Sequence, residues 1–210
     1  MPQPSRVPPG RAGRIWLHRR LAAAERGREQ LDRKLRILLP ELQRRRLQAE
    51  RLDREWRAAC AVARTWLLRV AILGGEDAVL GAAAVEPARV EVTWATTMGL
   101  SYPAGAELVT RPDLVNRPGR AVPPANAAVV PAVEAFEAAL RAGVGSAAAD
   151  EAVRRVEAEI AVTRRRMRAL EWRWMPWLRE ALAEREAALE QAEREDGVRL
   201  RRAVAGRAGP

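Results

Sequence analysis

Leu17, Leu21, Ala24, Leu31, Leu35, Leu38, Leu42, Ala49, Leu52, Trp56, Ala59, Ala63, Trp66, Val70 and Leu73 succeed one another at alternating spacings of four and three, interrupted by Arg28 and Arg45. A 3.5-residue period is slightly shorter than the 3.6 of a straight helix. A stripe that keeps it over roughly eight heptads stays buried only by winding left-handed around a partner. At about 1.5 Å per residue such a helix reaches on the order of 85 Å, too long for one compact domain. A second glycine-poor stretch, Asp150 to about Ala203, carries Val153, Val156, Ile160, Thr163, Met167, Leu170, Trp174 and Trp177 on one stripe, continued by Leu178, Leu182, Leu189 and Ala192. Two long helices at the ends of one chain meet as an antiparallel hairpin. The pattern therefore predicts an all-α dominated fold: a long antiparallel left-handed two-helix coiled coil with a small β-hairpin and loop head in mid-chain.

The predicted boundaries are a first helix over 11–75, a head over 76–128, a helical region over 129–203, and flexible ends at 1–10 and 204–210. Gly74 and Gly75 end the first pattern. Residues 76–84 are alanine-rich and ambiguous. Arg89 to Trp94 alternates polar and apolar residues with β-branched enrichment, a strand signal, and a second strand is expected near Glu107 to Thr110, across a turn containing Gly99, Pro103 and Gly105. Pro112, Pro118, Gly119, Pro123 and Pro124 mark 111–126 as a loop. Gly143-Val144-Gly145 reads as a kink or as a loop. Pro40 and Pro176 should each bend their helix. With the hairpin closed near residues 73 and 145–150, the two prolines would stand at similar heights and could share one bend. In that register Arg28 faces Glu186 or Glu190 and Arg45 faces Glu171. Alternatively, both arginines extend across the seam edge and keep their guanidinium groups in water.

The formal charge of +10 is almost all arginine, Lys34 being the only lysine. It asks for an acidic neighbour: nucleic acid, anionic lipid or an acidic protein cavity. Glu25, Glu29, Asp32, Glu41, Glu50 and Glu55 interleave with the arginines, which weakens the nucleic-acid reading. Cys60 is the only cysteine, so no intramolecular disulfide is expected and a reducing interior is the natural compartment. Met1 to Arg14 is no secretory signal. Trp66 to Leu73, the longest apolar candidate for a membrane span, is broken by Arg69.

Catalytic motifs are missing. A P-loop needs glycine before Lys-Ser or Lys-Thr, and Lys34 stands between Arg33 and Leu35. Zinc patterns need more than His18 and Cys60. Ser146 is no nucleophile elbow, and His18 beside the seam reads as a surface histidine. No catalytic, cofactor-binding or metal-binding residue is expected. Trp56, Trp66, Trp174 and Trp177 fall on the seam and should pack there. Trp16, Trp94 and Trp172 are candidate partner contacts, with Arg19, Arg20, Arg26, Arg164, Arg165 and Arg166.

Pro9-Gly10-Arg11, then Leu17-His18-Arg19-Arg20-Leu21-Ala22-Ala23-Ala24-Glu25-Arg26-Gly27 with Leu31 and Lys34, resembles the N-terminal helix of the D subunit of V-type and archaeal A-type ATPases. Thr163 to Glu171, Met175-Pro176-Trp177-Leu178 and Glu193-Arg194-Glu195-Asp196 are similar to its C-terminal helix, and Met98-Gly99 with Pro103 to a segment of its head. The sequence departs from that pattern at Gly10, at Leu35-Arg36 and at Trp172 to Trp174, and residues 104–128 show no visible match to it. The resemblance implies a non-catalytic central rotor shaft without cofactor. Its partners would be the catalytic and non-catalytic nucleotide-binding subunits of the ring, the small F subunit of the central stalk and a membrane-ring adaptor subunit. It would lie in the cytoplasm, peripheral to the membrane, with no direct nucleic acid and no direct membrane insertion. The rival is a basic coiled-coil scaffolding or nucleic-acid-binding protein.

Overall fold

The computed structural model describes residues 7–82, 88–109 and 126–207. The elements are α1 (Gly10–Ala82), a hairpin of β1 (Arg89–Thr97) and β2 (Leu100–Val109), α2 (Val129–Ala169), a single π-helical stretch (Leu170–Trp174) and α3 (Met175–Arg207). A long helix, an antiparallel hairpin and a long C-terminal helical region are the all-α dominated plan that the spacing predicts. Residues 83 and 84 of the ambiguous stretch, Thr110, the proline-rich loop expected over 111–126 except Asn126, and the ends 1–6 and 208–210 lie outside the described residues. The last helix does not stop at 203 but runs on to Arg207, and α1 already starts at Gly10.

The chain divides into two compact units, one built from residues up to Arg36 with those from Ala161 on, the other from Ile37 to Ile160. In the first unit, Arg11, His18 and Glu25 meet Glu193, Glu186 and Arg179 at 3.0, 3.3 and 3.5 Å. The partners step by seven in opposite directions, an antiparallel heptad register written in polar contacts. Each pair is exposed and worth only about 0–1 kcal/mol, so these contacts mark the register while apolar burial holds it. That burial centres on Leu17, Ala24, Met175 and Leu178, with Trp16, Leu21, Trp174, Trp177 and Leu182 packed around them. Leu35 is buried while Leu31 is only half-buried. Leu35→Ala is therefore expected to cost about 2–3 kcal/mol and Leu31→Ala roughly half that, read from chemical denaturation followed by circular dichroism.

In the second unit Arg46 Nε donates to Glu157 Oε1 at 3.1 Å, again antiparallel. Glycine at 143 lets the helices close: a Cβ there would stand 3.0 Å from Trp56 Nε1. The Gly143-Val144-Gly145 stretch is accordingly helical, not a loop. Asn126 accepts the Ala128 N–H on its side-chain oxygen and donates from Nδ2 to the Val70 carbonyl, so the start of α2 is tied back to α1. The helical pattern does break at Gly75, where φ is 67°, but helix resumes to Ala82 and brings Ala78 against Val70, Ala128 and Ala132.

These facts correct the expected register. The helical region starts at Val129 as expected, but the helices close where Asn126 meets Val70 rather than near 145–150, which shifts the cross-helix partners. Arg28 Nη1 meets Glu171 at 3.5 Å, Glu186 is taken by His18, and Arg45 pairs with Glu41. Pro40 and Pro176 fall in different units. At Pro176 the cause of the local irregularity is visible: proline has no N–H to give, and the preceding turn widens so that the Met175 N–H reaches back to the Leu170 carbonyl.

The hairpin turns at Met98 and Gly99, with φ of 51° and 77°. Positive φ at both central residues of a two-residue loop gives the turn whose twist matches the strands. The turn is thus tighter than the expected one, and Pro103 and Gly105 belong to β2. The register slips between Thr93 and Trp94, so that Trp94 faces Pro103 and Thr93 faces Gly105; the proline is tolerated at that irregularity.

Candidate functional site

The residues expected along the seam divide by burial. Leu17, Leu35, Leu38, Leu42, Val70, Val156 and Ile160 are buried; Leu21, Leu31, Leu52, Trp66, Met167, Leu170 and Trp174 are half-buried; Trp56 is 40% exposed, its indole against Gly143.

The most ordered polar constellation belongs to the second unit, where sequence reasoning placed none. Tyr102 on β2 and Glu41 on α1 are both buried. Tyr102 Oη donates to Glu41 Oε1 at 3.1 Å, and Arg45 Nε donates to the same carboxylate oxygen at 2.8 Å. With its one proton given to Glu41, the Tyr102 hydroxyl accepts from Thr97 Oγ1 at 3.0 Å and from Arg45 Nη2 at 3.3 Å. The Arg45 guanidinium also lies over the tyrosine ring, 4.8 Å from its centre. Burial pushes the Glu41 carboxyl upward, but the hydrogen bonds from Arg45 and Tyr102 and the charges of Arg45 and Arg44 outweigh it and hold the group below 4.5. The signal in the sequence is Arg45 itself, a cation at an inward position four residues after a glutamate.

A second clamp holds both strands. Arg155 on α2 lies over Trp94, 4.9 Å from the ring centre, and its Nη1 donates to the Ser101 carbonyl at 3.3 Å. Glu151 accepts from Arg155 Nε at 2.7 Å, and that bond together with the charges of Arg154 and Arg155 holds its carboxyl low. Trp94, 54% exposed, is thus half engaged within its own chain.

The remaining candidates lie in the first unit. Arg19, Arg20, Arg26, Arg164, Arg165 and Arg166 are exposed. Trp16 is half-buried against the Leu17 cluster with Arg20 over its ring, so its indole packs internally. Trp172 is 77% exposed. An open cleft of about 420 Å³ is lined by Glu25, Arg28, Glu29, Glu171, Met175 and Arg179. Four of its five charges pair with each other, Glu25 with Arg179 and Arg28 with Glu171, and Glu29 stands beside them. Among the described residues no group of three His, Cys, Asp or Glu side chains could hold a metal ion.

One further surface departs from the expected polarity. Within α1 the most apolar window of 18 residues reaches a mean hydropathy of 1.4 and is 11% buried, higher than the interruption at Arg69 suggests. Val62, Leu68, Ile72 and Leu73 are each more than half exposed, and Ile72 and Leu73 line an open groove with Trp66, Arg69, Ala127 and Ala128.

The site thus offers fixed geometry and surfaces, and among the described residues none is arranged as nucleophile, base or phosphate cradle. Comparison with known proteins gives the family. The family of the ATP synthase D subunit matches residues 14–205. The chain belongs to that family. Among its relatives, the A-type ATP synthase D subunit of Pyrococcus furiosus is 30% identical over 96% of this chain and 95% of its own length. The D subunit of Thermococcus gammatolerans is 32% identical over 95% of this chain and 94% of its own. That of Haloquadratum walsbyi is 28% identical over 93% and 85%. As a member of the D-subunit family, the chain is a central-stalk subunit of an A/V-type ATP synthase, and the family match spans both units.

Proposed function

We propose that this chain is the rotor of its complex, coupling ATP hydrolysis or synthesis in a ring of nucleotide-binding subunits to ion translocation in a membrane ring, and that it performs no chemistry itself. The observation that carries the reading is the match to the ATP synthase D subunit over residues 14–205, which takes in both helical ends and the hairpin. The partners are the catalytic and non-catalytic subunits around the helices of the first unit, the small F subunit of the stalk, and an adaptor on the membrane ring. The exposed Ile72 and Leu73, lining one groove with Trp66, support a protein partner on the second unit, because exposed apolar surface of this kind marks interfaces. The chain would sit in the cytoplasm, peripheral to the membrane through the complex. The interleaved carboxylates speak against a polyanion as partner.

The test is reconstitution. The purified chain should neither hydrolyse nor bind ATP, should co-purify with the nucleotide-binding subunits, and should restore rotation-coupled turnover to a ring lacking its stalk. ATP turnover by the chain alone, or failure to join the ring, would sink the reading.

A further inference from the structure

Trp172 stands 77% exposed on the π-helical stretch Leu170–Trp174. Exposing a ring of that size forfeits a large apolar burial, so a position that holds one outward is informative. The wide turn is what holds it. Thr163 and Leu178 are both fully buried, fifteen residues apart, and four turns at 3.6 residues account for only about fourteen of those. The π stretch absorbs the surplus and keeps Leu170, Trp174 and Leu178 on the packed side. Leu170 Cδ1 lies over Gly27, 3.9 Å from where a Cβ would sit, and Trp174 stacks on Trp177 at 5.1 Å. Trp172, between two inward residues, is fixed outward.

Its surroundings carry charge with nothing to meet it. Arg165 and Arg168, seven and four residues earlier, share its helix face, and Arg173 follows it. All three are exposed, and among the described residues none of them takes part in a hydrogen bond or ion pair. By contrast Glu171, the neighbouring carboxylate, is engaged with Arg28.

We propose that Trp172, flanked by Arg165 and Arg168, is an anchor that seats in an apolar notch bordered by carboxylates on a protein partner. A tryptophan supplies a rigid apolar body, and the guanidinium groups beside it match carboxylates in charge and fork geometry. Protein rather than nucleic acid is indicated because Glu180, exposed on α3 shortly after Trp172, would repel a phosphate backbone. The proposal rests on the stalk reading for its probe, the nucleotide-binding ring.

The experiment titrates the full chain with that ring assembled without its stalk, using wild type, W172A, W172F and R165E/R168E, each checked for an unchanged helical circular dichroism spectrum. W172A is expected to weaken binding roughly 10- to 100-fold and W172F only a few-fold. R165E/R168E should weaken it and flatten its salt dependence. If wild type fails to bind the ring, the stalk reading falls and takes the anchor with it. If wild type binds while W172A and R165E/R168E bind within threefold of it, the anchor falls and the stalk reading stands. Loss of binding to a single-stranded oligonucleotide or to anionic phospholipid vesicles in W172A, with ring binding unchanged, also overturns the anchor.

Discussion

Arg45→Ala is expected to destabilise the 37–160 unit by about 3 kcal/mol, the low end for removing one partner of a buried ion pair. The cost arises at Glu41, whose buried carboxylate would keep the Tyr102 hydroxyl but lose the cation 2.8 Å away. Arg44, 3.5 Å from the other carboxylate oxygen and largely exposed, compensates in part. Replacing both partners, as in Glu41→Leu with Arg45→Met, should recover most of the loss, because an apolar pair of similar volume needs no counter-charge. The network also sets an acid limit. A carboxyl held below 4.5 in the folded chain contributes stability that is fully present above that value, and the contribution is lost as pH falls through the lower folded pKa. Wild type should therefore lose melting temperature below about pH 4.5 more steeply than Glu41→Gln, whose curve lacks this contribution. Thermal melts from pH 7 to pH 3 decide it; parallel curves would show that the network is not coupled to folding.

Leu178→Ala should cost the first unit about 3 kcal/mol. The side chain is fully buried among Leu17, Ala24 and Met175, with indole rings of Trp174 and Trp177 beside it, and large rings cannot collapse into the space that a lost isobutyl group leaves. Leu182→Ala, at a half-buried position four residues on, should cost less than half as much. Guanidinium denaturation gives both values, and a loss below about 1 kcal/mol at Leu178 would mean that the two-helix packing around it is looser than the burial indicates.

The heptad stripe was legible because it is a local property: Leu17, Leu35, Leu38 and Leu42 declare an inward face by spacing alone. Where the helices meet was not legible, because it depends on contacts remote in sequence. Gly143 looks like a helix breaker until Trp56 is laid against it, and Asn126 looks like loop until its amide is found on the Val70 carbonyl. Misplacing that closure carried Arg28 and Arg45 to the wrong partners. In the head, Pro103 and Gly105 read as turn residues, yet the turn is made by Met98 and Gly99 and the proline is absorbed at a register slip. The family was legible from motifs in both end helices. The Glu41 network was not, because the tyrosine that completes it lies on a strand more than fifty residues away.

The two arginine stacks hold the hairpin from two helices at once. Tyr102 is fastened to α1 and Trp94 to α2, while two strands alone are marginal in water. The hairpin therefore has no separate melting event open to it. Its backbone amides should exchange with solvent only when the helices that hold it open, which makes strand and helix one cooperative unit despite the difference in secondary structure. A force or partner that displaces the hairpin must break contacts on both helices at once, and because β2 is held by α1 at Tyr102 and by α2 at Ser101, sliding of α1 against α2 is felt across two adjacent residues of one strand.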